Sequence, residues 1–265
     1  MSYDNLTTSD GLLTHSQLRL SKDDVLAAKS VRIISTSFSP AIAQGPFTEP
    51  QKRLITNAID RSLCLGLSDR FQIASPAQTA DLTVHAVVTH VAATDATMAG
   101  VSKVASVAPS LLLPGVPVPV PRVPIGLGSL SVEAEARGQS GNQVAAMVWA
   151  RGANSFTSSP RVSTEGDAYD LASEFGDDFS KLLVTGKSPF GTWPAPPSLD
   201  KVKASFGAAP KQVACETFGR SPGLPGAIEK GLGLPPSWAD NGSAADSAPK
   251  KQSDTDAVAE TPVPH

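Results

Sequence analysis

The longest sustained pattern is the run from Thr79 to Thr94, TADLTVHAVVTHVAAT, which is β-branched and too apolar to sit in water. Its alternation puts Leu82, Val84, Ala86, Val88 and His90 on one face and Thr83, His85, Val87, Thr89 and Val91 on the other. This predicts an inner strand with the first set under helices. Val31 to Phe38 predicts an earlier strand, stopped by Ser39-Pro40, and Phe71 to Ala74 a short one before the turn at Ser75-Pro76.

Between those strands the period changes. Leu54, Ile55, Ala58, Ile59, Ser62 and Leu63 recur at helical spacing, with Lys52, Asp60 and Arg61 off the stripe. Thr48 and Gln51 have the spacing of a capping box, Pro50 suits a first turn, and Gly66 suits an end. A second helix of about twenty residues is predicted after Thr164, its expected cap. Ala168, Leu171, Ala172, Phe175, Phe179, Leu182 and Leu183 form its stripe; Gly166, Asp167, Asp170, Glu174, Asp177, Asp178 and Lys181 should lie outside, and Gly186 should stop it.

Leu130 to Ala136 and Val144 to Ala150 predict a hairpin across Gly138 to Asn142. On the simplest register, Leu130, Val132, Ala134 and Ala136 share a face with Val144, Ala146, Val148 and Ala150. Met98 to Gly128, apolar and interrupted by proline, ends in the alternation VPVPVPRVPIG. Proline cannot donate to a sheet ladder, so an extended, polyproline-like connection is expected.

The organisation read from these patterns is an extended lead-in over 1–30, one α/β domain over 31–187 with the Pro-rich insertion at 98–128, and a tail over 188–265. Leu12, Leu13, Leu18 and Leu20 are candidates for packing the lead-in on the domain. The tail, rich in Pro, Gly, Ala and Ser, is expected to be largely disordered, with Trp193, Phe206, Phe218 and Trp238 as possible pins. The fold class is an α/β (α+β) sandwich: a mixed or antiparallel sheet of about five strands with two helices on one face.

Composition narrows the chemistry. A net charge of −3 over 265 residues and a pI near 5.8 lack the basic footprint of a nucleic-acid binder, and aromatics are too sparse for stacking platforms. The two cysteines, Cys64 and Cys215, have no metal-motif spacing, and Cys64 reads as a small buried apolar residue. Met1 to Leu20 has no basic start, apolar core or cleavage site, and the prolines of Val104 to Pro121 argue against a membrane-spanning helix.

His85 and His90 are separated by an odd number, so on a regular strand they face opposite ways and cannot share a metal. Glu133 and Glu135 do share a face, roughly 6 to 7 Å apart along a strand, a separation close to that of paired catalytic carboxylates. The same pattern arises on any solvated hairpin face, with Arg137 or Arg151 as counter-charges. Gly186-Lys187-Ser188 lacks the rest of a phosphate loop. No cofactor is expected. The apolar residues Leu111, Leu112, Leu113, Val116, Val118, Val120 and Ile125 need cover, either from their own domain or from a protein partner or membrane surface, and they are the candidate contact residues.

The runs RFQIASPAQTADLTVHAVVTHV, LSVEAEARGQSGNQVAAMVWARG and EGDAYDLASEFGDDFSKLL, with the opening YDNLTTSDGLLTHSQL, make the chain resemble a family of uncharacterised bacterial lipoproteins, domain of unknown function 3313. The resemblance covers Tyr3 to Gly186. It implies a sandwich like those of small envelope lipoproteins such as penicillin-binding-protein activators and the curli-secretion lipoprotein, which act by binding, in assembly or scaffolding. It implies a cell-envelope or periplasmic location, although these residues carry neither a signal peptide nor a lipid-bearing cysteine. No catalytic set is transferred. The expected function is therefore a non-enzymatic, envelope-associated binding or assembly protein; the alternatives are an enzyme using the Glu133/Glu135 face and an oligomeric secretion or pore-like component.

Overall fold

In the computed structural model, which describes residues 1–75, 77–95, 97, 126–154, 158, 161–191, 198–240 and 242, the strong patterns become the centre of one sheet. The strands are β1 (Thr7–Thr8), β2 (Thr14–Leu20), β3 (Ser30–Phe38), β4 (Gln72–Ile73), β5 (Leu82–Ala92), β6 (Ser129–Gly138) and β7 (Gln143–Gly152). Their order is β1-β2-β7-β6-β5-β3-β4. β3 runs parallel to β4 and β5, and the other pairs are antiparallel. The mixed α/β architecture is as expected, but the described residues form a sheet of seven strands. The lead-in supplies β1 and β2, and β2 turns Thr14, Ser16 and Leu18 inward. Leu12, by contrast, is 98% exposed.

Helices α1 (Lys22–Ala27), α2 (Glu49–Leu67) and α3 (Gly166–Thr185) pack with the sheet. In α2 the Gln51 carboxamide accepts the Thr48 backbone N–H at 2.9 Å, closing the predicted start. α3 starts one residue later than expected, with Glu165 at the cap, and stops at Gly186 in the left-handed conformation (φ 62°). Ile55, Ile59 and Leu63 of α2 and Phe175, Phe179 and Leu182 of α3 are fully buried. The helices approach closely because small residues meet: a Cβ on Gly66 would lie 2.0 Å from Ser180 Oγ, and one on Gly176 2.6 Å from Ser62 Cβ.

Three bulges correct the simple alternation. The hairpin begins in the expected register at Arg137↔Gln143, then Val144 is bulged out and the pairing continues as Ala136↔Ala145, Ala134↔Met147 and Val132↔Trp149. Ala145, Met147 and Trp149 therefore enter the core, and Ala146, Val148 and Ala150 take the other face. A bulge at Thr89 likewise buries Val91 and exposes His90, reversing the predicted placement. The third, between Ile34 and Ser37, turns Thr36 inward.

Several polar residues expected outside are buried, namely Lys52, Asp60, Arg61 and Asp167. Each has partners. Lys52 donates to the Ala43 carbonyl and to Glu49. Asp60 accepts the Thr36 N–H at 3.0 Å and its hydroxyl at 2.6 Å. Burial pushes the Asp60 carboxyl up to about 6, against the lowering effect of those hydrogen bonds.

Residues 198–240, for which composition predicts disorder, carry α4 (Leu199–Ser205), a short 3₁₀ turn at Val213–Phe218, α5 (Gly223–Leu232) and a second turn at Pro236–Trp238. This segment is a strap fastened by long-range links that no local pattern reveals. Cys215 is joined to Cys64 of α2 by a disulfide. Arg61 pairs with Asp240, and Arg161 with Glu229. Gln212 closes the edge strand β4 by accepting the Ile73 N–H at 2.7 Å and donating to the Phe71 carbonyl at 2.6 Å.

Candidate functional site

Two places gather the residues singled out in the sequence. The first is the sheet face away from α2 and α3. Antiparallel register sets His85 opposite Glu135 and Val87 opposite Glu133. Tyr3 reaches across the chain to donate its hydroxyl to Glu133 Oε2 at 2.6 Å. Met1, Tyr3, His85, Thr89, Glu133 and Glu135 line a depression of about 350 Å³.

The electrostatics there are largely settled within the protein. Burial raises the Glu135 carboxyl, but donation from Arg137 Nε (2.9 Å) and Gln143 Nε2 (2.8 Å) outweighs it and holds the group below its ordinary value. Glu135 is thus an ionised acceptor with both oxygens engaged, the wrong state for a proton donor at neutral pH. Desolvation lowers His85, partly opposed by Glu135, so the imidazole stays neutral near pH 7. The Glu133 bond raises the Tyr3 hydroxyl. The Thr89 bulge brings His90 onto this same outer face, yet no group of three potential ligands is close enough for a metal among the described residues.

The second place is the neck of the Pro-rich insertion. Leu111, Leu112, Leu113, Val116, Val118, Val120 and Ile125 lie outside the described residues. The two ends of the insertion do not. Beyond β5, Thr94 donates its N–H to the Thr164 carbonyl at 2.8 Å, and Asp95 donates to the Gly126 carbonyl at 2.9 Å. Gly128 then donates to buried Asp167 Oδ2 at 2.8 Å, while Asp167 N–H donates to Thr94 Oγ1 at 3.2 Å. Glycine is required at 126, where φ is 70° and a Cβ would lie 2.4 Å from Asp95 Cβ. The chain thus leaves and re-enters the sheet through one hydrogen-bonded gap, sealed by the start of α3. The sequence signal for this neck is weak, because Asp167 has the pattern of a solvated residue of the first helical turn.

A family model described as "Protein of unknown function (DUF3313)" matches residues 1–179. No curated protein matches the chain. Among solved structures, a single-substitution variant of the PelC dodecamer from Paraburkholderia phytofirmans is 12% identical with a TM-score of 0.34, covering 68% of this chain and 96% of that one. A second PelC dodecamer structure from the same organism is 11% identical with a TM-score of 0.35, covering 65% and 98%. Likeness at this level says nothing about what the chain does.

Proposed function

We propose, for a chain that belongs to the DUF3313 family of proteins of unknown function, a non-enzymatic binding or assembly role in the cell envelope, with the Pro-rich insertion as the partner contact. The observation that carries this reading is the sealed neck: the Asp95–Gly126 and Gly128–Asp167 hydrogen bonds close the fold beneath the insertion. A segment so joined can be spent on contact without loss to the core, and its Leu and Val residues supply apolar area for a protein partner. The Cys64–Cys215 disulfide supports the envelope location, because such bonds persist in oxidising compartments.

The test is replacement of residues 98–125 by a short Gly-Ser linker in the full chain. The variant should keep the wild-type melting temperature to within a few degrees and lose the proteins that co-purify with wild type from membrane extracts. Retention of every co-purifying protein would refute the reading, as would collapse of the fold.

A further inference from the structure

Helix α5 is built inside out. A surface helix ordinarily buries its apolar stripe and shows its charges. In α5, Leu224, Ile228 and Leu232 recur at i, i+4 and i+8 and are 62%, 62% and 58% exposed, whereas Glu229 is 4% exposed. Glu229 is turned inward because Arg161 needs it: the buried guanidinium donates to Glu229 Oε1 at 2.6 Å and to both oxygens of Asp170. The turn that follows α5 packs against it and adds Trp238, 70% exposed.

The charges of the strap are partly sorted in the complementary sense. Of its carboxylates, Glu229 and Asp240 are buried against Arg161 and Arg61, while Glu216 is half-buried and Asp200 exposed. Of its bases, Lys201 pairs with Asp177, and Lys203, Lys211, Arg220 and Lys230 face outward. Arg220 is partnered by Glu216 and Lys230 by Asp170, but all four remain exposed at the surface. The result, in a chain of net charge −3, is an apolar ridge with a tryptophan, with exposed Arg220 just before α5 and exposed Lys230 on it. This is the arrangement by which a helix lies in a membrane interface, with aliphatic side chains below the headgroups, Trp at their level and Lys or Arg on anionic lipid.

We infer that the α5–Trp238 ridge is a docking surface for an anionic phospholipid bilayer, peripheral in character, since no described helix is long and apolar enough to cross a membrane. Leu224, Ile228 and Leu232 enter the headgroup–acyl boundary, and the exposed bases meet lipid phosphates. The inference stands apart from the contact proposed for residues 98–125, and each can fail alone.

The test uses the full chain in vesicle flotation, comparing vesicles containing phosphatidylglycerol with vesicles of phosphatidylcholine alone. Wild type should float with the anionic vesicles, less so as salt is raised, and its tryptophan emission should shift to the blue, a shift that Trp238→Phe should remove. The variant I228D/L232D, altered only at exposed positions, should keep its melting temperature and its disulfide but partition roughly tenfold less or worse. A protein lacking residues 98–125 should float as wild type does. Failure of wild type to bind anionic vesicles at low salt would overturn the inference, as would undiminished flotation of I228D/L232D. A wild-type dimer that this variant loses, without vesicle binding, would assign the ridge to a second copy of the chain instead.

Discussion

In the sheet and its helices, Ile55, Ile59, Leu63, Phe175 and Phe179 point inward and make the core by area alone. In the strap over 198–240, Leu224, Ile228, Leu232 and Trp238 point outward, and the residues that point inward include Cys215, Glu229 and Asp240. The first region is held mainly by non-directional packing; in the strap a covalent bond and two buried ion pairs add to the packing of Ala214 and Phe218 on the core. The family model reaches residue 179 and so covers most of the first region and none of the second. The difference teaches that a segment fastened by a few specific links is released from the need to bury its own apolar residues. Those residues are then available for an external surface.

Removing the covalent link should have the largest effect. Cys64 and Cys215 enclose 151 residues of sequence separation, and for loops of this size the chain-entropy model assigns roughly 4 to 5 kcal/mol. Urea unfolding of the double variant Cys64→Ser/Cys215→Ser should show that loss; an unchanged midpoint would mean the strap contributes nothing to the folded state. Next is the Arg61–Asp240 pair, both partners buried and bridged by the Tyr169 hydroxyl, which donates to Asp240 at 2.6 Å. Arg61→Met alone should cost about 3 to 5 kcal/mol by stranding the Asp240 charge, and adding Asp240→Leu should recover most of it. A double variant as unstable as the single one would show that packing, not charge pairing, fastens this end.

A smaller effect in the body is read by pH. Because burial raises Asp60 from 3.8 to about 6, the folded protein holds this proton more tightly than the unfolded chain. Its contribution is complete below the unfolded value and is lost as pH rises through about 6, at most about 3 kcal/mol at 1.36 kcal/mol per unit. Asp60→Asn should flatten the stability profile between these two values in chemical denaturation at a series of pH; an unaltered slope would place the titration elsewhere. Smallest is Ile228→Asp, expected to change unfolding free energy by less than about 0.5 kcal/mol because the side chain is already in solvent. A large loss would mean that α5 is not inside out.

The body was legible where its signals were local. The Thr48–Gln51 box, the α3 stripe and the Gly186 stop could be read because period and capping lie within a few residues. Strand β2 could not, since its inward positions include Thr14 and Ser16 and so show no apolar alternation. Nor could the bulges, as one unpaired residue at Thr89 or Val144 leaves composition unchanged while reversing every side chain beyond it. Of the candidate sites, Glu133 and Glu135 were correctly placed on one face. Their partners Tyr3, Arg137 and Gln143 decide what they can do, and the Tyr3 contact spans 130 residues. The strap was legible only at Phe218, which does pack on the core, because the disulfide and the buried ion pairs that fasten it join residues far apart in the chain.

The most direct measurement is hydrogen exchange along the full chain with the disulfide intact and after its reduction. The account predicts that amides over 198–240 lose protection on reduction while those of β5, β6, β7, α2 and α3 keep theirs. Loss of protection throughout the sheet, or none in the strap, would contradict it.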